Sequence, residues 1–241
     1  MKAMLLAGGR AERLRPLSDA MPKCLVPIDG EPLLSIWLSL CAAHGITDVL
    51  VNVSAHGDLV RQALERYEGP LRVRLVVEGG PRGNAGTVRA ERSFVADVDS
   101  FFVLYADNLT NANLGALWAF HQTHADLITM GVFRTPYPQM AGIVTLGEQG
   151  RVVAFAEKPV RPATDLANAG LYVVRRELLA LIPVAPVVDF ARDVFPCCAG
   201  RMRALPIEEY LLDIGHPAAL ARAQTEWPAH RPVANRSELA T

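Results

Sequence analysis

Short apolar runs alternate with longer amphipathic stretches through the first half of the chain. Residues 2–7 (KAMLLA) are apolar after Lys2 and stop at Gly8-Gly9, the pattern of a strand buried on both faces that ends in a tight turn. Runs of the same kind recur at Asp48–Val53, Arg72–Val77 and Ser100–Tyr105. Between them the spacing becomes helical. Residues 32–44 gather Leu33, Leu34, Trp37, Leu38 and Cys41 on one face, and 59–67 and 85–95 follow the same pattern. Strand and helix thus alternate, which predicts right-handed βαβ units and an α/β fold with an open, mostly parallel sheet. Such sheets bind ligands beyond the carboxyl ends of their strands, which makes 8–15, 78–86 and 106–108 the candidate functional segments.

The second half is patterned differently. Strand-like runs at 125–133, 141–159 and 168–174 are linked by turns, with a Gly-Glu-Gln-Gly hairpin signal at 147–150, and predict a mixed-sheet lobe over the site. Helical patterns at 187–195 and 217–226 flank a short apolar stretch at 210–214. Beyond Trp227 the apolar periodicity stops, so 1–227 reads as a single domain and 228–241 as a flexible tail. No internal repeat is present.

With 241 residues, 51% of them hydrophobic and 20% charged, the chain has the composition of a folded globule. A formal net charge of −1 supplies no global field for nucleic acid or an anionic membrane, so neither is expected as a partner. No leader pattern opens the chain and no run approaches the roughly 18 apolar residues of a membrane span, which points to a cytoplasmic protein. Cys24, Cys41, Cys197 and Cys198 form no C-x-x-C and read as reduced structural thiols. Oligomeric state is not legible, and a homo-oligomer stays open.

Chemistry concentrates in the loop after the first strand, LLAGGRAERLRPLSDAMPKCLVPIDG. It carries neither G-x-G-x-x-G nor G-x-x-x-x-G-K-[ST], which excludes the dinucleotide and P-loop readings as they stand. Instead, Arg10, Arg13, Arg15 and Lys23 cluster behind Gly8-Gly9, and Pro16, Pro22 and Pro27 stiffen the path. Guanidinium forks and a lysine point charge suit a ligand with several phosphates. An arbitrary cluster of this kind reads as a solvated basic loop; its place after the first strand favours ligand binding. Asp107 and Asp213 follow apolar runs and could converge on Mg²⁺, although a lone strand-end aspartate reads more readily as a cap or turn residue. Glu157-Lys158 before Pro159, and Asn168, could meet sugar hydroxyls and phosphate, or be an exposed pair and a turn residue.

Taken in order, these pieces resemble the sugar-1-phosphate nucleotidyltransferases. LAGGRAERLRPLSDAMPKCLVPI matches their opening signature, VVEGGPRGNAGTV their nucleobase segment and YADN their metal-aspartate motif. FAEKP and NAGLYVV match the sugar-binding pair, and YLLDIGHP the second metal-aspartate segment. The resemblance implies a Rossmann-like sheet with an inserted sugar-binding sheet. It also implies that Leu6, Ala7, Gly8, Gly9, Glu78, Gly83, Asn84, Gly86 and Asp107 meet the nucleotide, with Arg13 and Lys23 on the triphosphate. Asn108, Gly142, Glu157, Lys158, Asn168 and Gly170 would face the sugar phosphate, and Asp107 and Asp213 would hold Mg²⁺. Two departures stand out. Ala11-Glu12 replaces the family's glycine and threonine, and Arg82-Gly83-Asn84 replaces its L-G-T. Ala11 resists positive-φ geometry that glycine tolerates, and Glu12 puts an acid beside the expected triphosphate, so it should point away or help hold metal.

The implied reaction is attack of a sugar 1-phosphate oxygen on the α-phosphorus of a nucleoside triphosphate, with pyrophosphate leaving and Arg13, Lys23, Lys158 and Asp107 in the catalytic roles. The attacking phosphate is already anionic, so none of the six histidines is needed as a base. DFARDVFP and FHQTHADLITMGVF most resemble the guanylyltransferases acting on mannose or heptose 1-phosphate, which favours GTP over dTTP, UTP or CTP. A catalytically silent, nucleotide-sugar-sensing subunit is the rival from another class.

Overall fold

The computed structural model describes residues 1–9 and 11–232. In chain order it contains β1 (Lys2–Leu6), α1 (Leu17–Ala20), β2 (Pro27–Ile28), β3 (Glu31–Pro32), α2 (Leu33–Ala43), β4 (Asp48–Val53), α3 (Gly57–Glu65), β5 (Arg72–Val77), α4 (Asn84–Ala90) and β6 (Ser100–Tyr105). There follow β7 (Asn108–Thr110), α5 (Leu114–His121), β8 (Ile128–Arg134), β9 (Gly142–Leu146), β10 (Val152–Glu157), β11 (Leu166–Arg175), β12 (Met202–Pro206), β13 (Leu211–Asp213) and α6 (Pro217–His230).

The first half builds the parallel part of a nine-stranded sheet in the order β6-β1-β4-β5. The chain winds outward from β1 to β5, then returns to place β6 on the other side of β1. Between β1 and β6 the winding therefore reverses, and the crevice at their carboxyl ends is the switch point where open α/β sheets bind ligands. Along β1 and β6 both faces are buried. Ala3, Leu5, Phe102 and Leu104 face one apolar cluster with Trp37 and Trp227, while Met4, Leu6, Phe101 and Val103 face another with Tyr172, Phe190 and Phe195. Burying each large side chain contributes about 2 kcal/mol, enough in sum to fix the register of these two central strands.

The second-half strands extend this same sheet. β11 pairs antiparallel with β6 and β8 and bridges to β9 at Ala167–Ile143. β9 and β10 form the expected hairpin, turning through Gln149 and Gly150 at φ 54° and 72°. β12 joins β8 in parallel. The result is the Rossmann-like α/β class expected, with the second-half strands continuous with the parallel half. α6 runs to His230, three residues beyond the 1–227 boundary; of the anticipated tail, residues 233–241 lie outside the described residues. All four cysteines are free; Cys24, Cys41 and Cys198 are buried and Cys197 is exposed. Among the described residues no helix is long and apolar enough to cross a membrane.

Candidate functional site

At the switch point lies a cleft of about 610 Å³. Leu6, Ala7, Gly8, Gly9, Arg13, Lys23, Glu78, Gly83, Asn84 and Asp107 all line it; Gly86 does not, its N–H instead donating to Val188 O at 3.1 Å. Gly8 is required by close approach. A Cβ there would lie 2.6 Å from Asn52 Nδ2 and 3.3 Å from Glu78 Oε2. Glu78 is itself buried, one oxygen accepting from Thr87 Oγ1.

The two aspartates meet. β13 pairs antiparallel with β7, setting Asp213 opposite Asn108 and thus beside Asp107, and Ile214 N donates to Asp107 O at 3.1 Å. Lys23 Nζ sits between the carboxylates, 2.9 Å from Asp213 Oδ1 and 3.4 Å from Asp107 Oδ2, and only 10% of the Lys23 side chain is exposed. Arg13 reaches Asp213 Oδ2 at 3.8 Å. Desolvation on the cleft floor raises the Asp107 carboxyl against the pull of Lys23, and Asp213 adds to the rise. For Asp213 burial also opposes ionisation, but Lys23, the Gly215 N–H and Arg13 outweigh it and hold the carboxyl below its ordinary range. Asp107 and Asp213 are hard oxygen donors, of the kind that suit a divalent cation. Among the described residues no group of three or more metal-ligating side chains gathers, so any ion here would depend on its substrate for most of its ligands.

Around this floor the loop departs from expectation at Ala11, which adopts φ 49°, ψ 34°. The left-handed geometry that a glycine would take is kept here by an alanine, at a cost of about 1 kcal/mol. Glu12 follows it and is among the residues that line the cleft. Arg15 pairs with Asp19 at 3.1 Å and is absent from the cleft lining; Arg10 lies outside the described residues.

Next to the floor, on the β9–β11 side, the remaining expected residues gather. Gly142 and Glu157 are register partners across the β9–β10 ladder, and a Cβ on Gly142 would lie 2.9 Å from Glu157 Oε2. Burial raises the Glu157 carboxyl, opposed by Lys158, whose Nζ is 3.7 Å from Glu157 Oε1. Lys158 has φ 48°. Asn168 lies where β11 breaks register against β8, and its Oδ1 accepts from Gly170 N at 2.9 Å. Gly170, at φ 71°, lets Asn108 approach; Asn108 Nδ2 donates to Ala169 O at 2.9 Å. None of these six lines the 610 Å³ cleft itself, and Asn108 and Tyr105 form the seam between the two regions.

Sequence reasoning missed Asn52, Tyr105 and Val187, which also line the cleft. Asn52 carried a signal, since it is the one polar residue inside the apolar run DVLVNV after Asp48. Val187 belongs to a segment stitched to the loop at 78–86. Val188 N donates to Arg82 O at 2.8 Å, and Val188 O accepts from Ala85 and Gly86 at 3.1 Å. Gly83, φ 71°, is forced by this stitch, because a Cβ would fall 2.2 Å from Val188 O.

Comparison with known proteins places this geometry in context. The family described as "Nucleotidyl transferase" matches residues 2–229. Mannose-1-phosphate guanyltransferases from Aspergillus fumigatus and Schizosaccharomyces pombe are 33% and 31% identical over 224 residues, covering 90% of this chain and 61% of each relative. The chain thus spans less than two thirds of those proteins. Two solved structures of HddC from Yersinia pseudotuberculosis, one complexed with GMP-PN, superpose with TM-scores of 0.80 and 0.78 at 21% identity, over 94% of this chain and 99% of theirs. They share the fold.

Proposed function

Because the chain belongs to the nucleotidyl transferase family, we propose that it condenses GTP with a sugar 1-phosphate of the mannose type, giving the nucleotide diphosphate sugar and pyrophosphate. One observation carries the reading. Lys23 lies between Asp107 and Asp213 on the floor of a cleft whose rim is Gly8-Gly9, at the sheet's switch point. Cations, backbone and paired carboxylates together suit a triphosphate and its counter-ion. The mannose-1-phosphate guanyltransferase relatives support the substrate pair.

In this mechanism Gly8 and Gly9 let the nucleoside approach the backbone, and Glu78 meets the base. Its buried carboxylate can accept from the N1–H and exocyclic amine of a guanine, two donors that no pyrimidine edge supplies together. Arg13 and Lys23 hold the triphosphate, and Lys158 draws in the sugar phosphate. An oxygen of that phosphate attacks the α-phosphorus in line; the new P–O bond forms as the α–β bridging bond breaks and pyrophosphate takes its electron pair. The nucleophile is already ionised, so the chain's work is to bring two anions together and stabilise charge at the α-phosphate. Asp107 and Asp213 would hold Mg²⁺, which when bound supplies electrostatic neutralisation of the phosphates. Four free thiols accord with a cytoplasmic setting.

A pyrophosphate-release screen tests the proposal by crossing GTP, UTP, CTP and dTTP with mannose, glucose and heptose 1-phosphates. Turnover confined to GTP with a mannose or heptose 1-phosphate is expected. No release with any pair would favour a silent sensing subunit.

A further inference from the structure

The base side and the sugar side of the site are joined by four side chains in series. Asn84, which opens α4, accepts through Oδ1 from two backbone N–H groups, Ala85 and Phe190, both at 2.7 Å. Backbone nitrogens can only donate, so the other end of the amide must be NH₂. That Nδ2 donates to the Tyr105 hydroxyl at 2.8 Å. Tyr105 in turn packs against Tyr172, the two rings meeting edge to face with centroids 5.4 Å apart. Tyr172, 1% exposed, donates to Asn168 Oδ1 at 2.6 Å, where Gly170 N also donates.

The Tyr172 hydroxyl and the Gly170 N–H therefore both point at Asn168 Oδ1. With its oxygen saturated by two donors, Asn168 has only its NH₂ left to offer. The geometry points to Tyr105 and Tyr172 as positioning residues that lock the Asn168 amide in its donor-outward orientation and tie it to the base-side loop. The inference rests on the proposed reading of Asn168 as a sugar-phosphate contact and deepens it. The group that Asn168 meets must be an acceptor, a sugar hydroxyl oxygen or a phosphate oxygen, and a ligand presenting an ammonium at that point is rejected. Through Phe190 N on Asn84, the segment after Val188 is tied to the same chain.

Steady-state kinetics with GTP and mannose 1-phosphate on Tyr172→Phe, Tyr105→Phe and the double variant test this. Tyr172→Phe is expected to raise KM for the sugar phosphate about tenfold, with KM for GTP within about twofold. Tyr105→Phe is expected to act in the same direction but less, and the double variant to be no worse than Tyr172→Phe, because links in series are not additive. Equal rises in both KM values, or effects that add, would overturn the inference. A second readout needs no turnover: the Asn168 side-chain amide resonance in a ¹⁵N spectrum should shift in Tyr105→Phe, two links away, while that of Asn113 stays in place. An unmoved Asn168 signal would overturn the chain. Wild-type protein that releases no pyrophosphate would instead overturn the nucleotidyl-transfer reading, leaving the amide signal to decide the chain.

Discussion

Lys23 Nζ lies 2.9 Å from Oδ1 of Asp213, a residue 190 positions further along the chain. The contact closes the floor of the cleft, tying the loop after the first strand to the last strand. It also offsets the repulsion between two carboxylates that β7 and β13 force together. Lys23→Met should cost about two to three orders of magnitude in kcat/KM, because both the triphosphate and the acidic pair lose their shared cation. Kinetics at saturating Mg²⁺ check this; a loss under about threefold would remove Lys23 from the reaction.

Asp107→Asn separates stability from activity. Desolvation and Asp213 raise the Asp107 carboxyl above its ordinary range, so holding it ionised costs folding free energy. Neutralising it should leave Tm unchanged or higher while turnover falls by about a hundredfold or more. A large drop in Tm with turnover preserved would make Asp107 structural.

Ala11→Gly addresses the left-handed alanine. At φ 49° a glycine relieves about 1 kcal/mol of strain, partly offset by the freedom it adds to the unfolded chain. Equilibrium unfolding should show stability equal to or slightly above wild type, with GTP binding retained. The opposite sign is expected of Gly83→Ala, whose new methyl meets Val188 O; it should cost about 2 kcal/mol or more and weaken nucleotide binding.

Away from the site, His121 is buried against Ser100 and Thr129, and desolvation lowers its pKa to about 4, helped by Arg175 and His124. The unfolded chain therefore binds a proton that the folded chain refuses. The stability contribution is full above pH 6.5 and is lost as pH falls toward 4, about 3 kcal/mol across that window. Urea unfolding between pH 4 and 7 should show this slope, and His121→Gln should flatten it.

How much of this was legible depended on whether a signal was local. β4 and β6 follow from apolar runs at their observed bounds, because burial on both faces leaves no alternation to blur them, while β5, at the sheet edge, shows the arginine–valine alternation of a half-exposed strand. The β7–β13 pair was invisible as structure, since three-residue strands about a hundred positions apart carry no periodicity, yet it is what brings Asp107 to Asp213. Tyr105 and Tyr172 hid inside apolar runs, where an aromatic reads as core and its hydroxyl goes unnoticed. Ala11 misled for a different reason. Residue type argues against a left-handed turn, but the loop around it over-determines the backbone.

Nucleotidyl transfer makes pyrophosphate the leaving group, and ³¹P NMR of one reaction mixture distinguishes it from other phosphate chemistry. With GTP, mannose 1-phosphate and Mg²⁺, the triphosphate and sugar-phosphate signals should decline in step. A pyrophosphate singlet and two coupled diphosphate signals should rise equally. Release of inorganic phosphate, or loss of the triphosphate while the sugar phosphate persists, would contradict it.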